Sequence, residues 1–319
     1  MFPRVLAACS LVLASAFAHA QSWPTRPVKM IVSFPAGGPT DVMTRVVSDK
    51  LARALGQPVV VENKPGAGGS IGADFVAKSA PDGYTILMAT GSTHSVGPYL
   101  QKLPYDPARD FTPVTYVGYA TNILLVSPKL GVSNVRELIA YAKQEPGRLT
   151  YATSGIGSVA HLTAEMFAAM AGVQLTHVPY KGTQLSINDM ISGQVGILFD
   201  NVMTAKPHVE SGRLKGIAVS SRERSALVPD IPTVAESGLA GFESSNWFGV
   251  FGPAGLPRPV VDRLDAELNR LLADPAIRER FHTLGFEVTG GHPADLTAIM
   301  GSEARKWSKV IEEAHVKPE

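Results

Sequence analysis

A short apolar run, a turn with two adjacent glycines and an amphipathic segment follow one another directly near the start of this chain. The apolar run is 28–32, the turn is 33–41 with Gly37 and Gly38 at its centre, and the amphipathic segment is 42–55. A short valine-rich run predicts a strand, and apolar residues at helical spacing predict a helix. Alternation of such elements predicts an α/β architecture built around a mostly parallel sheet.

The glycine turn also has the composition of an anion site. Gly37 and Gly38 lack Cβ atoms, so their amides can approach a ligand closely, and Thr40 or Asp41 can cap the following helix. The first amides of a helix and the positive end of its dipole attract negative groups, of which a carboxylate is the simplest. The plainer alternative, which these residues alone favour, is an ordinary strand-to-helix connection.

Polar residues follow several later predicted strands. Strands are predicted over 84–89, 149–152 and 195–199, and a helix over 159–171. Open α/β sheets bind ligands in the loops at the carboxyl ends of their strands. The candidate residues in these loops are Ser92, His94, Ser154, Gly155, Gly157, Ser158 and Asp200, together with Tyr180 after another short strand.

The stretch 153–158 repeats the opening pattern of strand, glycine turn and helix start. Two such turns facing each other can hold the two ends of one small anionic ligand. Two of the candidates keep an alternative role. His94 fits equally well as a residue that ties two loops together, and Asp200 fits nearly as well as a cap for the next helix.

The second glycine turn, 63–72, resembles a dinucleotide-binding fingerprint only superficially. Counted from Gly66, the third glycine of G-x-G-x-x-G is replaced by Ile71, and the turn follows the second strand instead of the first. The sequence therefore predicts packing or a pocket wall here, and no nucleotide or other cofactor.

The amino terminus predicts export. Arg4 precedes an apolar stretch, 5–17, that ends in Ala18-His19-Ala20, as in a secretory signal peptide cleaved after Ala20. A lipoprotein signal ending at Cys9 is rejected because its apolar core would be only 5–8. No later run approaches the roughly 18 apolar residues of a membrane-spanning helix, so we expect a periplasmic protein.

Composition excludes several classes of function. Cys9 is the only cysteine, so the mature chain would have no disulfide, thiolate metal site or cysteine nucleophile. Loss of Arg4 with the signal changes the formal net charge from +1 to zero, which argues against nucleic acid as a partner. The histidines lack the spacing of metal ligands, so no metal site is expected.

The order of predicted elements indicates two α/β lobes, each a mixed, mostly parallel sheet flanked by helices. The expected division is a signal peptide at 1–20, the first part of lobe 1 at 21–122 and lobe 2 at 123–221. Residues 222–319 form a return segment and a C-terminal part that packs on lobe 1. A strand beginning at Asn122 is expected to open lobe 2.

Longer motifs along the chain are more specific. They are Phe34-Pro35-Ala36-Gly37-Gly38-Pro39-Thr40-Asp41 with Arg45, Glu62-Asn63-Lys64-Pro65-Gly66-Ala67-Gly68-Gly69 with Gly72, Pro81-Asp82-Gly83-Tyr84-Thr85, Pro104-Tyr105-Asp106, His177-Val178-Pro179-Tyr180-Lys181-Gly182, Pro232-Thr233-Val234-Ala235-Glu236 and Trp247. With these motifs the chain resembles the Bug family, extracytoplasmic solute-binding proteins of tripartite tricarboxylate transporters. The resemblance extends, in order, over essentially the whole mature chain.

The resemblance implies a Venus-flytrap protein, a monomer and not an enzyme, that encloses a small carboxylate between its lobes and delivers it to membrane permease subunits. Asp200 is expected to contact the far end of the ligand. The first turn would grip one carboxylate and the second turn would face it; the implied residues are Phe34, Ala36, Gly37, Gly38, Thr40 and Asp41 in the first, and Ser154, Gly155, Gly157, Ser158 and His161 in the second.

Two other functions are weighed. A secreted hydrolase would use Ser154 or Ser158 with His161 and an acid such as Asp200, but 153–157 does not match the G-x-S-x-G nucleophile elbow. A receptor of the same fold can also serve as the ligand-binding input of a periplasmic sensor. The sequence does not separate sensing from transport, and it does not identify the carboxylate.

Overall fold

The computed structural model describes residues 23–313 and residue 316. The expected signal peptide and its cleavage after Ala20 lie outside these residues. Ten strands join into one continuous sheet. They are β1 Val28–Val32, β2 Val59–Asn63, β3 Thr85–Thr90, β4 Phe111–Val126, β5 Thr150–Thr153, β6 Thr176–Pro179, β7 Ile197–Asn201, β8 Lys215–Val219, β9 Ser245–Pro253 and β10 Phe286–Val288.

Ten α-helices of the described chain flank this sheet. They are α1 Pro39–Leu55, α2 Ser70–Ala77, α3 Gly97–Leu100, α4 Val135–Gln144, α5 Val159–Ala171, α6 Ile187–Ser192, α7 Val202–Glu210, α8 Arg258–Leu272, α9 Pro275–Thr283 and α10 Pro293–Glu313. None of the helices in the described part of the chain has the length and apolar character needed to cross a membrane.

The strand β4 belongs to both lobes. Its first part, from Phe111 to Thr121, pairs with β9, and its second part, from Asn122 to Val126, pairs with β7. The strand expected to begin at Asn122 is therefore the second part of one 16-residue strand. Gly118 lies at a register shift of the β4–β9 ladder, where an irregularity bends the strand without ending it.

Each lobe contains a mixed sheet, as the sequence predicts. Lobe 1 has the order β2-β1-β3-β9-β4, and lobe 2 continues it as β4-β7-β5-β6, with β10 and β8 pairing to β4. The β1, β2 and β3 ladders and the β5, β6 and β7 ladders are parallel. Fewer pairings are parallel than expected, because β4 and β9 run antiparallel to their neighbours.

Two apolar clusters cover the two faces of the sheet in each lobe. Val28 and Ile31 lie in different clusters of lobe 1, and Leu124 and Leu125 lie in different clusters of lobe 2. Both sheets are thus buried on both faces, which is why their strands are nearly continuous apolar runs.

The segment 222–319, expected to pack on lobe 1, is divided between the lobes. Val234 and Phe242 lie in the lobe 2 core, whereas α8 and α9 contribute to the core of lobe 1. Helix α10 spans both, because Leu296 packs in lobe 1 and Trp307 in lobe 2. The spacing of apolar residues along α10 predicts the helix but not which lobe each turn will cover.

Candidate ligand-binding site

A cavity of about 80 Å³ lies between the lobes, at the point where β4, β7 and β9 meet. Residues of the first glycine turn and the residues after β3 form its lobe 1 wall: Phe34, Pro35, Gly38, Pro39, Thr40 and Ser92. The wall in lobe 2 and the floor comprise Asn122, Ser154, Val159, Ala160, Gly182, Thr183, Gln184, Phe199, Asp200, Asn201, Asn246 and Phe248.

The start of α1 presents unpaired amides to this cavity. Gly38 is the N-cap residue in extended conformation, and no side chain caps the helix. Pro39 at the first helical position has no N–H, and the next donor bonded within the structure is the Val42 amide, to Gly38 O at 3.0 Å. The amides of Thr40 and Asp41 therefore lack an acceptor among the described residues, an arrangement typical of helix starts that bind anions.

Asp41 braces the turn and does not line the cavity. Its Oδ2 accepts hydrogen bonds from the Gly37 amide and from Arg45 Nε, both at 2.9 Å. Its Oδ1 accepts one from Asn63 Nδ2 at 2.9 Å. Burial raises the pKa of Asp41, but the bonds from Arg45, Gly37 and Asn63 outweigh burial and lower the pKa below its ordinary value. Both oxygens of the Asp41 carboxylate are thus hydrogen-bonded within the protein, so this group is not available to bind a ligand.

The start of α5 forms the facing wall. Ser158 caps the helix by accepting a hydrogen bond from the His161 amide at 3.2 Å. The Val159 amide donates to Ser92 Oγ, 3.0 Å away, so a lobe 1 side chain binds the first amide of a lobe 2 helix. The next residue, Ala160, lines the cavity. Ser158 thus acts as a helix cap, and its hydroxyl oxygen is hydrogen-bonded to the backbone outside the cavity lining.

His161 supports the second turn from behind. Its ring stacks on His177 with centroids 4.2 Å apart, and Tyr151 stacks on both histidines, with its centroid 4.8 Å from that of His177 and 6.1 Å from that of His161. The Gly157 amide donates to His161 Nδ1 at 3.4 Å. Burial lowers the pKa of His161 to about 3 and that of His177 to about 4, so both rings are neutral near pH 7. Neither residue lines the cavity.

His94 is a core residue. Its ring stacks on Phe251 with centroids 4.4 Å apart, and Thr93 Oγ1 lies 2.8 Å from its Nδ1. Burial lowers the pKa of His94 to about 3. His94 therefore has the alternative role, as a buried residue that ties a loop to the core, and it does not line the cavity.

The structure divides the sequence-predicted site residues into two groups. Those that line the cavity are Phe34, Gly38, Thr40, Ser92, Ser154 and Asp200. Those that do not are Ala36, Gly37, Asp41, His94, Gly155, Gly157, Ser158, His161 and Tyr180. Gly155 and Tyr180, with Ser154, instead line a neighbouring depression between the lobes. Both turns contribute residues to the cavity. Most of their other candidate residues do not line it and instead shape the local backbone.

The sequence analysis missed the floor of the cavity. Asn122, Asn201 and Asn246 come from β4, β7 and β9, and Asn122 pairs directly with Asn201. No local motif marks these asparagines, because strand pairing brings them together over long sequence separations. Only Asn201 offered a local signal, because it ends an apolar strand, whereas Asn122 lies inside β4 and Asn246 lies near the start of β9.

No lysine or arginine is among the described residues that line the cavity. Positive potential there comes from helix amides instead of side-chain charges. Asp200 is the acidic group of the lining; it is 4% exposed. Burial raises the pKa of Asp200, against the opposing effect of hydrogen bonds from Thr204 and Thr183.

Two α/β lobes with a cavity between them, faced by helix amino termini, define the solute-binding class of receptors. Residues 43–316 match the model of the tripartite tricarboxylate transporter family receptor. The chain belongs to this family.

Relatives agree over nearly the whole length. Protein BugT of Bordetella pertussis is 37% identical over 320 residues, covering 98% of each chain. The structure of the periplasmic binding protein BugD has a TM-score of 0.86 at 38% identity, covering 92% of this chain and 99% of BugD. R. palustris Rpa4515 with adipate has a TM-score of 0.90 at 36% identity, covering 93% of this chain and 100% of that one. The resemblance to Bug proteins and the two-lobed fold are thus confirmed.

Proposed function

We propose that this protein is a periplasmic receptor that captures a small carboxylate between its lobes and delivers it to permease subunits of a tripartite tricarboxylate transporter. The observation that carries the ligand class is the start of α1, where Thr40 lines the cavity and the amides of Thr40 and Asp41 lack an acceptor among the described residues. A carboxylate supplies the missing acceptors and complements the helix dipole. The adipate bound to Rpa4515 supports the same chemical class.

Contacts across the cleft support capture by closure. Ser92 of lobe 1 binds the Val159 amide of lobe 2, and Gln101 Nε2 of lobe 1 donates to the Ile156 carbonyl of lobe 2. These contacts join the segment that follows β3 in lobe 1 to the second turn and to the start of α5 in lobe 2. A ligand that touches both walls stabilises the closed form over the open one, which is the population shift a transporter can read.

The geometry favours binding over hydrolysis. Ser158 Oγ accepts from the His161 amide, and His161 Nδ1 accepts from the Gly157 amide. The imidazole is therefore engaged with the turn and does not contact the Ser158 hydroxyl, as a nucleophile–base pair requires. This arrangement supports a receptor without catalytic activity. We propose separately that the receptor acts as a monomer.

A thermal-shift screen of residues 21–319 against mono-, di- and tricarboxylates, amino acids and aromatic acids tests the ligand class. Ligand at about a hundred times its dissociation constant adds roughly 2.7 kcal/mol to the free energy of unfolding. We expect a rise in melting temperature confined to one group of carboxylates. A refolded sample is screened in parallel, so that a ligand retained from expression is removed. Absence of any carboxylate response in both samples contradicts the proposal.

A pull-down from membranes with the bound carboxylate present tests the partner. Capture of permease subunits supports transport, whereas capture of a sensor domain instead contradicts it. Fractionation of cells that produce the full chain tests the periplasmic location.

A further inference from the structure

The cavity contains a buried acidic group, Asp200, without a lysine or arginine partner in the described lining; His208 interacts with it, but burial lowers the pKa of His208 and so disfavours its charged form. Asp200 Oδ1 accepts a hydrogen bond from Thr183 Oγ1 at 2.9 Å, and Oδ2 lies 2.7 Å from Thr204 Oγ1. The backbone amide of Asn201 also bonds to this carboxylate. A carboxylate has about four acceptor positions, so one is left for a further donor. Buried carboxylates are ordinarily paired, and no lysine or arginine of the described cavity lining pairs with this one.

Two asparagine side chains in the same lining each have a buried atom without a partner in the described structure: Asn201 Nδ2 and Asn246 Oδ1. The orientation of Asn201 is fixed, because its Oδ1 accepts from the Met203 amide at 2.8 Å. Its unpaired atom is therefore the donor. Unpaired buried polar atoms are costly, and in a cavity lining they mark positions where a bound molecule supplies the partner.

We propose that the ligand carries, besides its carboxylate, a group that donates a hydrogen bond to Asp200: a hydroxyl or a protonated amine. The inference rests on the proposed function and narrows its ligand class. A second carboxylate at this position would bring two carboxyl groups together in a lining without a lysine or arginine, which is favourable only if one of the two is protonated.

The variant Asp200→Asn removes the charge with little disturbance of the fold. Thr204 Oγ1 lies 2.7 Å from Asp200 Oδ2 and 2.9 Å from the Asn201 carbonyl. Its single hydrogen can turn to that carbonyl, and its oxygen then accepts from the new amide. Thr183 keeps its acceptor. Glu267→Gln is the matched control, since Glu267 is a buried acid in lobe 1, 3% exposed and outside the cavity.

Calorimetric titration of acids that differ only in one terminal group tests the inference. The six-carbon series is hexanoate, 6-hydroxyhexanoate, 6-aminohexanoate and adipate, and a four-carbon series has the same ends. We expect the hydroxy or amino acid to bind about tenfold or more tightly than the unsubstituted acid and the diacid. Asp200→Asn should weaken only the donor-bearing acid, about 10- to 100-fold, as expected for loss of a hydrogen bond to a charged group. Glu267→Gln should leave all affinities unchanged.

The relative affinities of the hydroxy acid and the amino acid identify which group donates to Asp200. A diacid that binds wild type most tightly, or a donor-bearing acid indifferent to Asp200→Asn, overturns the inference while leaving carboxylate binding intact. If the screen yields an acid outside both series, the comparison is made with its analogue lacking the donor, and equal affinities overturn the inference. Failure of every carboxylate in the screen contradicts the proposed function instead.

Discussion

Substitutions at the two adjacent glycines of the first turn should have different effects: the substitution of Gly38 should mainly lower ligand affinity, and the substitution of Gly37 should mainly lower stability. A Cβ on Gly38 would lie 3.3 Å from Pro35 O and 3.4 Å from Gln184 Nε2, which belongs to the opposite lobe. The φ of −76° and ψ of 168° at Gly38 suit a β-branched residue, so Gly38→Val should fold. Loss of glycine at the N-cap costs about 1 kcal/mol.

The affinity change at Gly38 should be much larger. The valine methyl groups would stand before the Thr40 and Asp41 amides, which would exclude two hydrogen bonds to a carboxylate. Hydrogen bonds to charged groups are worth about 1.5–3 kcal/mol each, so dissociation constants should rise at least about 100-fold.

Gly37→Ala is the matched variant. Gly37 has a φ of +80°, and nothing lies within 4 Å of its added Cβ. Left-handed backbone costs a non-glycine residue about 1–2 kcal/mol, so the free energy of unfolding should fall by that amount. Affinity should stay within about twofold. Calorimetry and urea unfolding on both variants measure the two quantities. Equal losses of affinity at Gly37 and Gly38 would refute the placement of the carboxylate at the α1 amides.

Three further outcomes are expected. Asp41→Ala should lower the free energy of unfolding by about 2–4 kcal/mol in urea titration, because Gly37, Arg45 and Asn63 lose their shared acceptor. The burial-lowered pKa values of His94 and His161, about 3 each, and of His177, about 4, predict acid sensitivity. The unfolded chain binds protons at these histidines below about pH 6.5 while the folded chain does not, so stability should decline from that pH toward pH 4. Gln101→Ala should speed ligand release about 3- to 10-fold in stopped-flow experiments, because a contact between the lobes is lost.

Each of these has a result that contradicts it. Unchanged stability in Asp41→Ala would mean that the turn is held without its carboxylate. A stability that is flat between pH 6.5 and 4, or unaltered in its slope by His161→Gln, would contradict the buried neutral ring. Gln101→Ala with an unchanged release rate would show that its bond to Ile156 does not contribute to closure.

The sequence determines the local units well and the site only in part. The strand 28–32 and the helix 159–171 are predicted with their observed bounds, because apolar period and flanking glycines are local signals. The family resemblance implied that Asp41 and His161 contact the ligand. Asn63 and His177, which contact them in the structure, come from other segments of the chain, and no local pattern shows that Asn63 bonds to Asp41 or that His177 stacks on His161.

The two ends of the cavity also differ in how well the sequence predicts them. The α1 amides are predictable because they depend only on a glycine, a proline and a helix start in one stretch. The asparagine floor depends on the register that opposes Asn122 to Asn201, which is set by the packing of both lobes.

The sharing of β4 between the lobes bears on how this protein can be divided. Lobe 2 takes Val234 and Phe242 from the return segment and Trp307 from α10, so the continuous piece 123–221 lacks part of its own interior. The lobes are therefore partners in one folding unit, and receptors with new specificity are better made by exchanging cavity residues than by exchanging lobes.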